Sequence, residues 1–143
     1  MPNANDAELT ELYTAATGLD VEDTEPNTGP PGTPPAADYD LHVEAVAGQS
    51  IGNSKGDYTI VLTCIDETLA APNAGMSRTV NQEFKQGDGW EPGGAAGNFH
   101  KEEKFTIAVP ANVRGHVFRY VGTLLSDNNE VVSFIESNRF VLV

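Results

Sequence analysis

Between residues 39 and 45, apolar and polar side chains alternate without a break: Tyr39, Leu41, Val43 and Ala45 against Asp40, His42 and Glu44. A β-strand sends successive side chains to opposite faces, so the first set can enter a core while the second meets water; a helix would scatter both. The apolar run Tyr58–Ile65 is β-branched and apolar on both faces, as a central strand requires. Arg78–Phe84 is a weaker strand carrying Val80 and Phe84, and Lys104–Val109 aligns Phe105, Ile107 and Val109 before Pro110 breaks the ladder. His116–Leu125 is long and apolar, and it reaches Val131–Ile135 through the polar residues Ser126–Glu130, a hairpin loop. Arg139–Val143 follows either as a separate strand or as a bulged continuation through Ser137 and Asn138. About seven strands without helical crossovers predict an all-β chain folded as a two-sheet antiparallel β-sandwich, with a small closed barrel as the alternative.

The stretch Phe105–Pro110, then Gly115, Val117–Val121 and the hairpin into Val131–Ile135, resembles the closing strands of immunoglobulin-like or fibronectin type III-like domains. The resemblance covers residues 100–143 and is one of pattern. It implies the sandwich and no particular reaction. Two features depart from it: paired cysteines are absent, and Tyr120 stands too far from Gly115 to be assigned as that superfamily's corner tyrosine.

The first 38 residues read as an acidic N-terminal arm ahead of a domain at 39–143. Leu9, Leu12, Tyr13 and Ala16 follow helical spacing, with Asn5 or Asp6 to cap the start and Gly18 to end the helix, which predicts a short helix over residues 6–17. Residues 19–38 hold Pro26, Pro30, Pro31, Pro34 and Pro35 and have few large apolar side chains, as an extended linker does. The expectation is that the helix docks through its apolar stripe, on its own sandwich or preferentially on an adjacent copy, and that residues 39–143 fold without the arm.

The chain carries 21 acidic and 8 basic residues, a formal charge of -13. Such a surface repels nucleic-acid backbones and anionic lipid, so neither is expected as a partner; a protein partner or self-association is. Residues 1–6 have neither the basic nor the apolar region of a secretory signal, and no compartment is implied. Cys64 stands alone inside an apolar run and reads as a buried, inert thiol.

For chemistry, the least ordinary stretch is the glycine-rich loop Gln86–His100, which contains the single Trp. It lacks the Lys-Ser/Thr ending of a phosphate loop. Asp88, Trp90, Glu91 and Phe99 are its candidate contact residues, either for a glycan stacked on the indole or for a partner protein. The plainer reading has Trp90 and Phe99 covering an open end of the sandwich. Calcium needs about six to eight converging oxygens; Asp57, Asp66, Asp88, Asp127 and Glu130 are loop acids of the right type, but a sequence does not show convergence. His42, His100 and His116 lack zinc spacing, and no nucleophile elbow is present. No cofactor and no catalytic residue are assigned. The expected function is a non-enzymatic binding or structural module of a larger assembly such as a virion, filament or multiprotein complex. A carbohydrate-binding module using Trp90 is the alternative, and a hydrolase comes third.

Overall fold

The computed structural model describes residues 7–48, 57–83, 85–86, 89–92, 99–126, 128 and 130–143. Along the chain the strands are β1 (Ala7–Ala15), β2 (Asp38–Ala47), β3 (Asp57–Asp66), β4 (Ala71–Glu83), β5 (Lys85–Gln86), β6 (Gly89–Pro92), β7 (Phe99–Ala108), β8 (Val117–Leu125), β9 (Val131–Glu136) and β10 (Phe140–Val141). The first sheet has the order β1-β2-β7-β6-β5; the second has β10-β8-β3-β4, with β9 also paired to β8. Apart from the parallel β5–β6 contact, the pairings among the described residues are antiparallel.

The helix expected over residues 6–17 is not formed: residues 7–15 are strand β1, hydrogen-bonded along β2 of the same chain. The cause is a bulge. Leu9 lies opposite Ala45 and Leu12 opposite Val43, so three steps along β1 match two along β2. One extra residue in a bulged strand brings positions three apart onto one face, which is the spacing that reads as helical in sequence. Both leucines are thereby buried, at 6% and 5% exposure, together with Ala7. Burying each leucine is worth about 1.5–3 kcal/mol, more than any local helical preference of so short a segment.

The proline-rich segment is likewise held rather than trailing. Val141 N donates to Thr24 O at 2.8 Å, and Asn138 Nδ2 donates to Glu22 Oε1 at 2.8 Å. Asn27, fully buried, donates to Val143 O at 2.9 Å and accepts from Val143 N at 3.0 Å. Strands β9 and β10 run end to end along one edge of β8, so the bulged-continuation reading of the last strand is the one adopted. Ser137 spans the break: its N donates to Tyr120 O, and its hydroxyl accepts from Tyr120 N.

The two sheets make a sandwich-like arrangement around one shared core. Tyr39, Leu41, Val43 and Ala45 of β2 meet Ile60, Leu62, Phe118, Tyr120 and Leu124 of the second sheet. Tyr120 Oη donates to Met76 O at 2.7 Å and stands 2.6 Å from Tyr39 Oη. A phenol has one proton, so Tyr39 must donate to Tyr120, and the chain of bonds crosses from one sheet to the other. Tyr120 thus has an inter-sheet role, with its hydroxyl bonded far upstream rather than at a local corner. Its ring stacks on Phe140, with centroids 5.6 Å apart. Cys64 is buried, and burial pushes its thiol up to about 12.

Candidate functional site

Antiparallel pairing places directly opposed residues on the same face, with Cβ atoms about 4.5–5.5 Å apart. In the first sheet, Glu11 opposes Glu44, and Glu44 opposes Glu102, so three carboxyl groups stand in a row across β1, β2 and β7 on the face away from the core. The next row is Tyr13, His42 and Lys104; the one after it is Ala15, Asp40 and Thr106. Like charges held directly opposite one another repel. The row relieves this by retaining a proton: hydrogen bonding to Glu102, partial burial and the field of Glu11 push Glu44 up to about 7.

The loop after β1 folds over this face. Gly18 adopts φ +84°, which a glycine accepts without strain, and its N–H donates to Asp40 Oδ2 at 2.8 Å. Asp40 also accepts from Thr106 Oγ1 at 2.9 Å, and Lys104 Nζ lies 3.5 Å from it. Burial alone would raise the Asp40 carboxyl, but these donors outweigh it and hold the group below its ordinary value. Asp20 sits 3.5 Å from Lys104 Nζ and 3.9 Å from His42 Nε2, too far from the imidazole for a hydrogen bond. The His42 ring is stacked on Tyr13 at 4.7 Å, and its buried Nε2 has no hydrogen-bond partner among the described residues. Tyr13, Asp20, His42, Glu44, Glu102 and Lys104 line a hollow of about 360 Å³. A second hollow of about 420 Å³ adjoins it at Tyr13 and Asp20 and continues past Glu11 of β1 to Glu22 and Glu136.

The residues expected from sequence are placed differently. Asp88 lies outside the described residues, as do the side chains of Trp90 and Glu91, whose backbone forms β6 with Glu91 opposite His100. Phe99 is a core residue, 6% exposed. Leu9 and Leu12 are in the core, Tyr13 covers His42, and Ala16 is half-buried just past β1. Of the candidate calcium ligands, Asp127 and Asp88 lie outside the described residues, as does the side chain of Asp57, and Glu130 is exposed in the β8–β9 turn. Asp66 is buried against His116 Nδ1 at 2.8 Å and accepts from Leu69 N. Burial works to raise Asp66, yet the His116 hydrogen bond and those backbone donors keep it below its ordinary value. Among the described residues, no three acidic, histidine or cysteine groups gather as a metal ion would need. The carboxylate row escaped the sequence reading because it exists only once β1 is a strand in register with β2.

The chain is all-β and sandwich-like, and its fold has solved counterparts. A putative β-galactosidase from Bacteroides fragilis aligns over 95% of this chain with a TM-score of 0.51 and 10% identity. A glycosyl hydrolase family 2 member from Bacteroides cellulosilyticus aligns over 95% with a TM-score of 0.51 and 8% identity. The chain spans 17% and 14% of the length of those two proteins, so the likeness is to one part of each. No protein-family model matches the chain, and no curated protein does. At this identity the likeness concerns the fold.

Proposed function

We propose that this chain is a non-catalytic, immunoglobulin-like β-sandwich module of a larger assembly, docked to a neighbouring protein or domain through the outer face of its second sheet. The observation that carries this reading is the composition of that face. The register aligns Asn81, Thr59, Leu125 and Val131 in one row and Thr79, Val61, Thr123 and Phe134 in the next, with no charged residue in either. Val131, Val132 and Phe134 are 65%, 41% and 58% exposed. In a chain of charge -13, two adjacent uncharged rows ending in exposed large apolar side chains have the make-up of an interface core, where charge is depleted and aromatics are enriched, and the ion pair of Arg119 with Glu136 lies further along the same face as a polar rim. The fold likeness to small parts of long chains supports a modular role.

The experiment compares wild type with the double variant Val131→Asp, Phe134→Asp, both tagged and produced in the cells that make the protein. Thermal unfolding of the purified double variant should match wild type within a few degrees, because both side chains face solvent. Wild type is expected to sediment from the lysate in a complex well above its own 15.2 kDa, and the variant as the single chain. Equal sedimentation of both contradicts the reading.

A further inference from the structure

The outer faces of the two sheets differ sharply in charge. On the first, Glu11, Glu44 and Glu102 stand side by side across three strands. On the second, Ile60, Leu62 and Cys64 of β3 enter the core, which turns Thr59, Val61, Thr63 and Ile65 outward, each half-buried and uncharged. Of the β8 residues opposed to these four, Arg119 alone is charged. It is neutralised within the chain: Nε lies 2.9 Å from Glu67 Oε1 and Nη1 2.7 Å from Glu136 Oε1. Arg139 Nε completes the group, 2.6 Å from Glu67 Oε2, so two charges of each sign cancel at that end of the face. We propose that a second copy of this chain stacks on this face, outer sheet against outer sheet.

Charge selects the occupant. A two-fold pair uses one patch twice, so a patch with net charge suits an opposite partner and repels its own copy. The stretch from Thr59 to Ile65, with its balanced arginine and glutamate rim, has no net charge to repel with. Pairing through the first sheet would instead set two rows of glutamates against each other. Sheets packed face to face lie about 10 Å apart and interlock through small and β-branched side chains, which is what β3 presents. Val131 and Phe134, 65% and 58% exposed on β9, widen the apolar area at one side. The charge of -13 on each chain still opposes approach, although salt at physiological strength screens it beyond about 8 Å. The pair is therefore weak, with a dissociation constant on the order of 100 µM: micromolar solutions hold single chains, and pairs form where an assembly gathers copies together. The inference rests on the reading that this face is the docking surface, and it names what docks there.

The test is sedimentation of the purified intact chain from about 5 µM to about 1 mM, in dilute and in concentrated sodium chloride. The mass should rise from 15.2 kDa and level off at twice that value. Salt gives a signature of its own: two like-charged chains meeting through a neutral face should pair several-fold more tightly in concentrated salt, whereas docking held by opposite charge would weaken. Val61→Asp and Thr123→Asp, which each set a carboxylate in the middle of the face, should leave the chain single at every concentration. Thermal unfolding at 5 µM shows that each is folded, and the conclusion needs only one of the two. Glu44→Gln, on the other sheet, should pair like wild type. A mass that stays at 15.2 kDa up to 1 mM in both salts overturns the proposal, as does pairing that weakens with salt, growth beyond two copies, or undiminished pairing by a folded aspartate variant. A single chain here together with a large complex in the lysate would remove the second copy and leave the docking face standing.

Discussion

The buried side-chain amide of Asn27 hydrogen-bonds both main-chain groups of Val143, donating to its carbonyl at 2.9 Å and accepting from its N–H at 3.0 Å. This contact joins the proline-rich segment to the strand edge formed by β10, across 116 positions of sequence. Replacing Asn27 with Ala leaves a buried donor and a buried acceptor unpaired, at about 1–3 kcal/mol each. Asn27→Ala is expected to lower unfolding free energy by about 2–4 kcal/mol in urea denaturation. A loss within experimental error would mean the segment is not fixed there.

Strand β1 contributes to the core, so Leu12→Ala should destabilise by about 2–4 kcal/mol, as other buried leucine truncations do. Deleting residues 1–16 removes this strand and exposes the odd-numbered side chains of β2. The expected result is loss of the cooperative thermal transition. A deletion variant that still unfolds cooperatively near the wild-type temperature would restore the view that residues 1–38 are an appended arm.

Gly122 sits in β8 where three side chains converge: a Cβ there would lie 3.0 Å from Ile135 Cγ2, 3.2 Å from Leu12 Cδ2 and 3.4 Å from Leu62 Cδ2. These neighbours come from β9, β1 and β3, so no single shift relieves all three. Gly122→Ala is expected to cost about 1–3 kcal/mol by overpacking, read as a lower urea midpoint at unchanged slope.

Two carboxyl groups give opposite pH dependences. Glu44 is pushed above its ordinary 4.5, to about 7, so between those values the folded chain holds a proton that the unfolded chain releases. Stability should therefore fall as pH rises from 4.5 to 7 and level off above, by on the order of 1 kcal/mol once solvent screening is allowed for, and Glu44→Gln should flatten that slope. Asp66 is held below its ordinary 3.8 through His116, so its contribution is present above that value and disappears as pH falls through the folded-state pKa. Asp66→Asn should lose stability at neutral pH and show a shallower acid limb. Thermal unfolding from pH 3 to pH 8 checks both signs.

What the sequence made legible is what alternation reports. The strands at 39–45, 58–65, 104–109, 116–125 and 131–135 were visible because one face is apolar, and they lie within β2, β3, β7, β8 and β9, with Val109 just past β7 and His116 just before β8. The spacing of Leu9 and Leu12 misled because a bulge and a helix present the same interval, and only pairing with β2 distinguishes them. The anchoring of residues 22–27 was invisible for a related reason, since it depends on partners more than 110 positions away. The row of Glu11, Glu44 and Glu102 needs the register of three strands, which no local pattern encodes.

The most direct measurement of the docking claim is hydroxyl-radical footprinting of Val131, Phe134 and Val61, first on the purified chain and then on the chain recovered in its native complexes. Labelling of Val131 and Phe134 is expected to fall several-fold in the complexes, while Leu19 and Val21, exposed at 56% and 73% on the loop over the first sheet, serve as internal comparison. Undiminished labelling of Val131 and Phe134 in the complexes would contradict the assignment of the second sheet's outer face as the docking surface.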